Sequence, residues 1–325
     1  MRNRVSGIRS PTPITSLWAL LRALGEAGKL ATDNPTHTAF MWWRDAHGSR
    51  APHSTLPQWS PLECVSPHVM CALIGAEDPL FFQHRGFWWH QIRIAVLRAF
   101  VERRGIRGVS TITQQLARNL YLAPTRSVAR KLREGVLAWR LERVLTKRRI
   151  LELYLNVVEW GDGIWGITVA AQEYCGRQPR DLDAFESAVL VSLLPAPTAP
   201  LIGTNARRAF AAQRRVPRFL YSAGLLSREA EEDALIRLTQ LHRFVEAALP
   251  LPVAIQRVTA TVSSCETTRS TETVDEILAN CCGWCKRLSY EEFLVRARRN
   301  PAMLRSRPMW WTGGHDFEEP VDATP

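Results

Sequence analysis

The chain has 325 residues, of which 46% are hydrophobic and 22% are charged. This balance excludes a disordered tail protein, a collagen-like chain and a polytopic membrane protein, and the length allows one large domain with extensions or two small domains. The formal net charge of +11 suits an anionic partner such as a nucleic acid, a phosphorylated substrate or an anionic lipid surface. Residues 98–149 carry 14 Lys and Arg residues against three Glu residues, so we expect the anion site there.

Residues 1–57 are predicted to be an N-terminal extension, because prolines at 11, 13, 35 and 52 interrupt any long element. Its most apolar stretch, 14–21, is much shorter than the roughly 20 residues of a membrane-spanning helix. Arginines flank this stretch on both sides, which is compatible with a degenerate signal peptide or anchor. An amphipathic helix is the interpretation that we favour.

Residues 58–245 are predicted to form a mainly α-helical domain, because helical periodicity and capping residues recur and alternating strand patterns are scarce. Ser66 and Pro67 begin the first helix, Ser127 caps a long one, and Asp183 with Glu186 forms a capping box. The predicted helices are, in chain order, 66–77, one ending before Pro124, 127–145, 147–161, 167–174 and 183–194.

Residues 246–325 form a C-terminal extension of unknown role, with short helices expected at 274–279 and 289–298. Its cysteines Cys281, Cys282 and Cys285 cluster, and Cys265 or His315 is available as a fourth zinc ligand. A zinc site ranks below an incidental cluster or a disulfide.

The other cysteines are Cys64, Cys71 and Cys175, which lie in apolar sequence surroundings. We interpret all three as small buried hydrophobic residues. The total of seven excludes a fully paired disulfide framework.

Two adjacent carboxylates, Glu77 and Asp78, end a predicted apolar helix, and His84 follows. A carboxylate at the rim of an apolar wall has a raised pKa, which suits a proton acceptor near neutral pH. A solvated helix end with Phe81 in the core is an equally weighted alternative.

The segment 108–119 begins with Ser110 and Thr111, which can cap a helix whose free backbone N–H groups attract anions. The polar face that follows, suited to a phosphate or a sugar, consists of Gln114, Gln115, Arg118 and Asn119. Taken alone, an ordinary polar helix face is the favoured interpretation.

A third segment places Glu134 among four cations, Arg126, Arg130, Lys131 and Arg133. Such a glutamate is either the centre of a structural ion-pair network or a second functional carboxylate. A basic helix taken in isolation is more often a solvated face.

Together these segments resemble, in order, the motifs of the peptidoglycan glycosyltransferases (glycosyltransferase family 51), and in particular the monofunctional biosynthetic transglycosylases. The motifs are Glu-Asp-x-x-Phe-x-x-His-x-Gly from 77, Gly-x-Ser-Thr-Ile-x-Gln-Gln-x-x-Arg-Asn from 108, Arg-Lys-x-x-Glu from 130 and Lys-x-x-Ile-Leu-Glu-x-Tyr-Leu-Asn from 147. The resemblance covers about residues 58–225. Trp88 stands where the family often has Asp, and Arg118 replaces the commoner Lys, which exchanges a point charge for a planar fork.

The resemblance implies a lysozyme-like, mainly α-helical fold with a smaller membrane-proximal lobe. It implies transfer of the growing glycan from undecaprenyl pyrophosphate to the 4-hydroxyl of lipid II, with inversion, at the periplasmic face of the inner membrane. The implied partners are lipid II, the growing strand, the membrane surface and cell-wall synthesis or division proteins, with no nucleic acid. The usual N-terminal anchor is missing or degenerate, and the lobe at 81–108 is an alternative attachment.

The resemblance also implies roles for single residues. Glu77 is expected to be the general base, and Glu134 the second essential carboxylate, placing the pyrophosphate side or a divalent cation (Mg²⁺ or Mn²⁺); no cofactor is required with certainty. The expected substrate-binding residues are Asp78, Ser110, Thr111, Gln114, Gln115, Arg118, Asn119, Arg126 and Arg133.

Two alternatives remain open at this point. A lysozyme-like lytic enzyme does not require the cationic helix with Gln115 and Arg118. A non-catalytic basic scaffold that binds nucleic acid or lipid explains the net charge but leaves Glu77 and Glu134 without a task.

Overall fold

A computed structural model describes residue 13 and residues 16–47, 58–89, 92–93, 110–125, 127–260 and 273–278. Within these ranges the chain is mainly α-helical, as predicted, with one antiparallel two-stranded hairpin, β1 (Glu159–Gly161) and β2 (Ile164–Trp165). The α-helices are α1 (Leu17–Glu26), α2 (Ala39–Ala46), α3 (Pro67–Glu77), α4 (Ile112–Tyr121), α5 (Val128–Val144), α6 (Lys147–Val157), α7 (Ile167–Ala170), α8 (Ala184–Leu193), α9 (Gly203–Gln213), α10 (Arg215–Ser222), α11 (Arg228–Glu246) and α12 (Leu251–Ala260).

Capping side chains begin the helices where the sequence predicts. Ser66 caps α3 with Pro67 in its first turn, and the Ser127 hydroxyl accepts the backbone N–H of Arg130 in α5. Asp183 forms the expected capping box at the start of α8. These starts are confirmed because each cap satisfies N–H groups that the helix itself leaves free.

The helix predicted over 147–161 is too long. Helix α6 ends at Val157, and the chain becomes extended and turns through Asp162 and Gly163 into the hairpin. The side chain of Glu159 accepts the backbone N–H of Gly163 (3.1 Å) and the Nε–H of Arg44 (3.1 Å). These long-range bonds hold the segment in the hairpin, and the sequence pattern does not reveal them.

The core lies where α3 packs against α8 and α10, and where α4 packs against α5 and α6. Helix α3 is buried on all sides from Val69 to Gly75. A Cβ added to Gly75 would lie 2.5 Å from the ring of Phe219, so the glycine permits α10 to approach closely. Since α3 is held this firmly, the position of its last residue, Glu77, is fixed.

Both predicted extensions contribute to this core. The guanidinium of Arg140 donates to the carbonyl of Leu24 (2.9 Å), and Arg149 donates to the carbonyl of Leu30 (2.8 Å). In the C-terminal part, α12 packs on α11, and Ile255 and Leu278 are buried. Residues 274–278 are helical, in agreement with the prediction.

The cysteines differ from their predicted state at two positions. Cys64 is an exposed free thiol, so its assignment to the core is wrong, whereas Cys175 is buried and free as predicted. Cys71 is completely buried but forms a disulfide whose partner lies outside the described residues. The Cys281 cluster, the helix at 289–298 and most of the lobe at 81–108 also lie outside them.

Candidate active site

Glu77 is the last residue of α3, and two hydrogen bonds link its carboxylate through Gln115 to Tyr154. The Nε2–H of Gln115 donates to Oε2 of Glu77 (2.7 Å), and the hydroxyl of Tyr154 donates to Oε1 of Gln115 (2.9 Å). Tyr154 is fully buried on α6, so it fixes the orientation of the Gln115 amide. The amide nitrogen therefore faces the carboxylate.

The environment of Glu77 shifts its proton affinity. Burial raises the pKa of this carboxyl, and the nearby charge of Asp78 raises it further, while the Gln115 hydrogen bond and the Arg118 charge lower it. Burial is the largest of these influences. A carboxyl group with a raised pKa accepts a proton more readily near neutral pH than an ordinary glutamate does.

The side chain of Asp78 is buried and accepts hydrogen bonds from His84 and from the backbone of Ile112. The backbone N–H of Gly86 donates to Nδ1 of His84 (3.1 Å), so Nε2 of His84 carries the proton and donates to the Asp78 oxygens at 2.8 and 3.0 Å. Oδ2 of Asp78 also accepts the backbone N–H of Ile112 (3.0 Å). The anion at the N-terminus of α4 is therefore the carboxylate of Asp78, which joins α3 to α4.

The predicted cleft residues Thr111 and Gln114 are both buried and form a capping box. The Thr111 hydroxyl accepts the Gln114 backbone N–H (3.2 Å) and donates to the carbonyl of Gly86 (2.8 Å). Their described contacts are thus with the start of α4 and with the loop that holds His84.

Glu134, on α5, is almost fully buried between two cations. Arg130 and Lys131 donate to its two carboxylate oxygens, and Lys131 also donates to the exposed hydroxyl of Ser110 (2.8 Å). Two of the four cations among which the sequence places Glu134 are therefore its direct partners. Lys131 links the second carboxylate to the start of α4.

The two carboxylate centres are joined by the loop after α3. Gly86 has a left-handed φ of +86°, and a Cβ added there would lie 3.0 Å from the side chain of Glu142 on α5. Two turns earlier on α5, a Cβ on Gly135 would lie 3.5 Å from the ring of Phe87. Because Gly135 follows Glu134 directly, this packing fixes the loop carrying His84 against the helix carrying Glu134.

The remaining predicted site residues differ in their surroundings. Arg118 is partly buried on α4, close enough for its charge to act on Glu77. Asn119 is buried, and its Nδ2 has no hydrogen-bond partner among the described residues. Arg133 is partly buried on α5, and Arg126 lies outside the described residues.

The structure adds Lys147 and Tyr154 to the candidate site. The Lys147 ammonium donates to Glu142 (2.6 Å) and lies 4.4 Å from the ring centre of Phe81, while burial lowers its pKa. Both residues belong to the motif from 147. The spacing of this motif is typical of core residues, so it does not reveal the polar ends of these side chains.

The described residues do not form a site for Mg²⁺ or Mn²⁺ beside Glu134. Such ions require several oxygen ligands, but cations occupy both oxygens of this carboxylate. No group of three His, Cys, Asp or Glu side chains within the described part of the chain is arranged to hold a metal. The described residues around Glu134 therefore do not fit a divalent cation.

Comparison with known proteins shows the family of the chain. A family model described as Transglycosylase matches residues 47–220, more than half of the chain. The chain belongs to the transglycosylase family. This membership confirms the predicted resemblance and the lysozyme-like, mainly α-helical fold.

Several relatives of this transglycosylase carry the name biosynthetic peptidoglycan transglycosylase. The protein from Azoarcus sp. is 45% identical over 168 residues, which are 51% of this chain and 73% of the relative. Those from Alcanivorax borkumensis and Aromatoleum aromaticum are 39% and 40% identical, cover 57% and 54% of this chain, and are themselves covered to 73% and 80%.

Proposed function

We propose that this transglycosylase polymerises peptidoglycan glycan strands from lipid II, outside the cytoplasm at the periplasmic face of the inner membrane. The names of its relatives support biosynthetic polymerisation, and they give no support to a lytic enzyme or a basic scaffold. The observation that carries the proposal is the partly buried Glu77 carboxylate with its raised pKa, set beside a helix of amide and guanidinium donors.

Glu77 is the general base of the proposed reaction. Its carboxylate takes the proton of the lipid II 4-hydroxyl while that oxygen forms a bond to the anomeric carbon of the growing strand. The bond from this carbon to the pyrophosphate oxygen breaks, and undecaprenyl pyrophosphate leaves with the electron pair. Gln115, held by Tyr154, keeps the carboxylate in one orientation for this transfer.

Arg118, Lys131 and Arg133 are the described cations that we assign to the developing charge on the pyrophosphate, together with Arg126. Preorganised cations stabilise such a leaving group without reorganisation during the reaction. Glu134 holds Arg130 and Lys131 by ion pairs, so its proposed role is to position cations. Asp78 positions the start of α4, on which Gln115 and Arg118 lie.

The test is polymerisation of lipid II by the purified full chain, measured as glycan strands on a gel. The Glu77→Gln variant should lose about 10²–10⁴-fold in rate, the usual contribution of a general base. The exposed Glu173 provides a matched control, because Glu173→Gln changes the same type of charge on the surface. Strands formed equally by Glu77→Gln and wild type would remove Glu77 from this role, and no strands from the folded wild type would contradict the function.

A further inference from the structure

Helix α5 exposes a line of apolar side chains to solvent. Val128, Leu132, Val136 and Trp139 are 78%, 68%, 43% and 46% exposed. At 100° per residue, these positions fall within an arc of about 80° on one side of the helix. We call this set the α5 apolar stripe.

The stripe is a second apolar face, separate from the face that packs into the protein. The buried residues of α5 include Glu134, Leu137 and Leu141, which lie on the opposite side of the helix. Core packing therefore does not explain the stripe. A contiguous exposed apolar surface rimmed by charge is typical of an interaction site.

The charges around the stripe are mainly positive. Helix α5 carries five cationic side chains and two carboxylates, and both carboxylates are paired, Glu134 with Arg130 and Lys131, and Glu142 with Lys147. The exposed guanidinium of Arg143 lies 4.2 Å from the ring centre of Trp139, at the C-terminal end of the stripe. The stripe thus lies on a helix whose side chains carry a net positive charge.

Helix α1 packs beside α5 and repeats this combination. Leu17, Trp18 and Leu21 are 70%, 82% and 51% exposed, and Arg140 of α5 holds the end of α1 through the Leu24 carbonyl. In the sequence, three arginines precede α1 within the first nine residues. Two neighbouring helices therefore present exposed tryptophan and leucine together with cations.

We infer that the α5 apolar stripe, together with α1, docks this protein onto the surface of an anionic lipid bilayer. Apolar side chains of one helix face enter the headgroup boundary, tryptophan is favoured at that depth, and anionic headgroups complement the cations. A second copy of this chain is disfavoured as the occupant, because a two-fold interface would place the same cations opposite each other. Glu134 lies on the opposite side of α5 from the stripe, so docking would place it one helix diameter, roughly 10 Å, from the lipid surface that holds the proposed substrate.

The test is sedimentation of the full chain with vesicles that contain no lipid II, so its result does not depend on the proposed activity. Wild type is expected to bind vesicles containing phosphatidylglycerol better than vesicles of phosphatidylcholine alone, and to bind less as salt increases. The double variant Leu132→Glu/Trp139→Glu should bind about tenfold less or weaker still, because two apolar contacts are lost and two negative charges are added.

A matched control variant is Ile202→Glu/Ile236→Glu, which changes apolar residues that are 70% and 59% exposed outside α1 and α5. It should bind vesicles like wild type, and both double variants should keep the wild-type melting temperature. Equal vesicle binding by wild type and the stripe variant would overturn the inference, as would an equal loss in both variants. A lipid-free dimer of wild type that the stripe variant abolishes would assign the surface to a second copy instead.

Discussion

The pKa of Glu77 results from influences that raise it and influences that lower it, and a substitution at Gln115 removes one of those that lower it. Burial raises the pKa, and the hydrogen bond from Gln115 lowers it. Only the carboxylate form accepts a proton, so the polymerisation rate should rise with pH through the pKa of Glu77. The Gln115→Ala variant removes a donor to the charged form, which raises the pKa further.

We therefore expect the acid limb of the pH–rate profile to move to higher pH in Gln115→Ala, together with a lower maximum rate because the carboxylate is less well oriented. Initial rates measured across the pH range for wild type and variant would show this shift. A limb that stays in place or moves to lower pH would contradict the assignment of Glu77 as the group that titrates.

The same shift predicts how Glu77 affects stability. Its folded pKa lies above the ordinary value of 4.5, so the folded state holds this proton more tightly than the unfolded state. The resulting stabilisation is complete below the unfolded pKa and is lost as pH rises through the folded pKa. Glu77→Gln should consequently unfold at higher urea concentration than wild type at pH 8, by a margin that decreases towards pH 4.

The surface change Glu173→Gln is the control for this measurement, since Glu173 is exposed. It should not reproduce the pH-dependent difference. A Glu77→Gln variant that is less stable than wild type at pH 8 would show that ionised Glu77 is favourably placed, contrary to the dominant influence of burial.

At the level of helices and turns, sequence patterns predicted local features well. Ser66, Ser127 and Asp183 cap helices as expected because a cap and its helix are close in sequence. The bond from Asp78 to the backbone of Ile112 spans 34 residues, and the ion pair from Arg44 to Glu159 spans 115. Periodicity contains no information on such contacts, so the hairpin and the structural role of Asp78 were not predicted.

Gly166 and Gly176 both have left-handed backbone conformations, but only at Gly166 would an added Cβ also overlap with another atom. Gly166 has φ +79°, and a Cβ there would lie 2.7 Å from the carbonyl oxygen of Asn156. Gly176 has φ +65° with nothing within 4 Å of an added Cβ. We expect Gly176→Ala to cost about 1 kcal/mol and Gly166→Ala about 2–4 kcal/mol in the free energy of unfolding.

Urea unfolding of both variants would measure these costs. Movement of Asn156 in Gly166→Ala would also disturb the segment before α3, because the Asn156 side chain forms two 2.8 Å hydrogen bonds with the backbone of Ser60. Similar costs for the two alanine variants would mean that the end of α6 can move away from the added methyl group.

For the molecule as a whole, several cations of the basic stretch 98–149 are engaged within the protein and connect distant parts of the chain. These are Arg130 and Lys131 with Glu134, Arg140 with the Leu24 carbonyl, Lys147 with Glu142, Arg148 with Glu63 and Asp275, and Arg149 with the 30–34 segment. Net charge alone could not distinguish these cations from Arg118, whose charge acts on Glu77.

Arg148 and Arg149 allow a matched test of how the N-terminal segment is held. Arg149 donates to the carbonyls of Leu30 (2.8 Å) and Asp33 (3.0 Å) and to the side chain of Asn34 (2.7 Å). Its neighbour Arg148 forms ion pairs with more exposed carboxylates, Glu63 and Asp275, among the described residues. Replacement by methionine keeps most of the alkyl chain and removes the charge and the donors in both cases.

We expect Arg149→Met to lower the free energy of unfolding by about 2–4 kcal/mol, because several partly buried acceptors lose a charged donor. Arg148→Met should cost about 0–1 kcal/mol, as exposed ion pairs usually do. Limited proteolysis should also cut residues 16–47 faster in Arg149→Met, since the bonds that hold this segment against α6 are gone. Equal stability and equal cleavage in the two variants would show that the bonds from Arg149 are not needed to hold this segment.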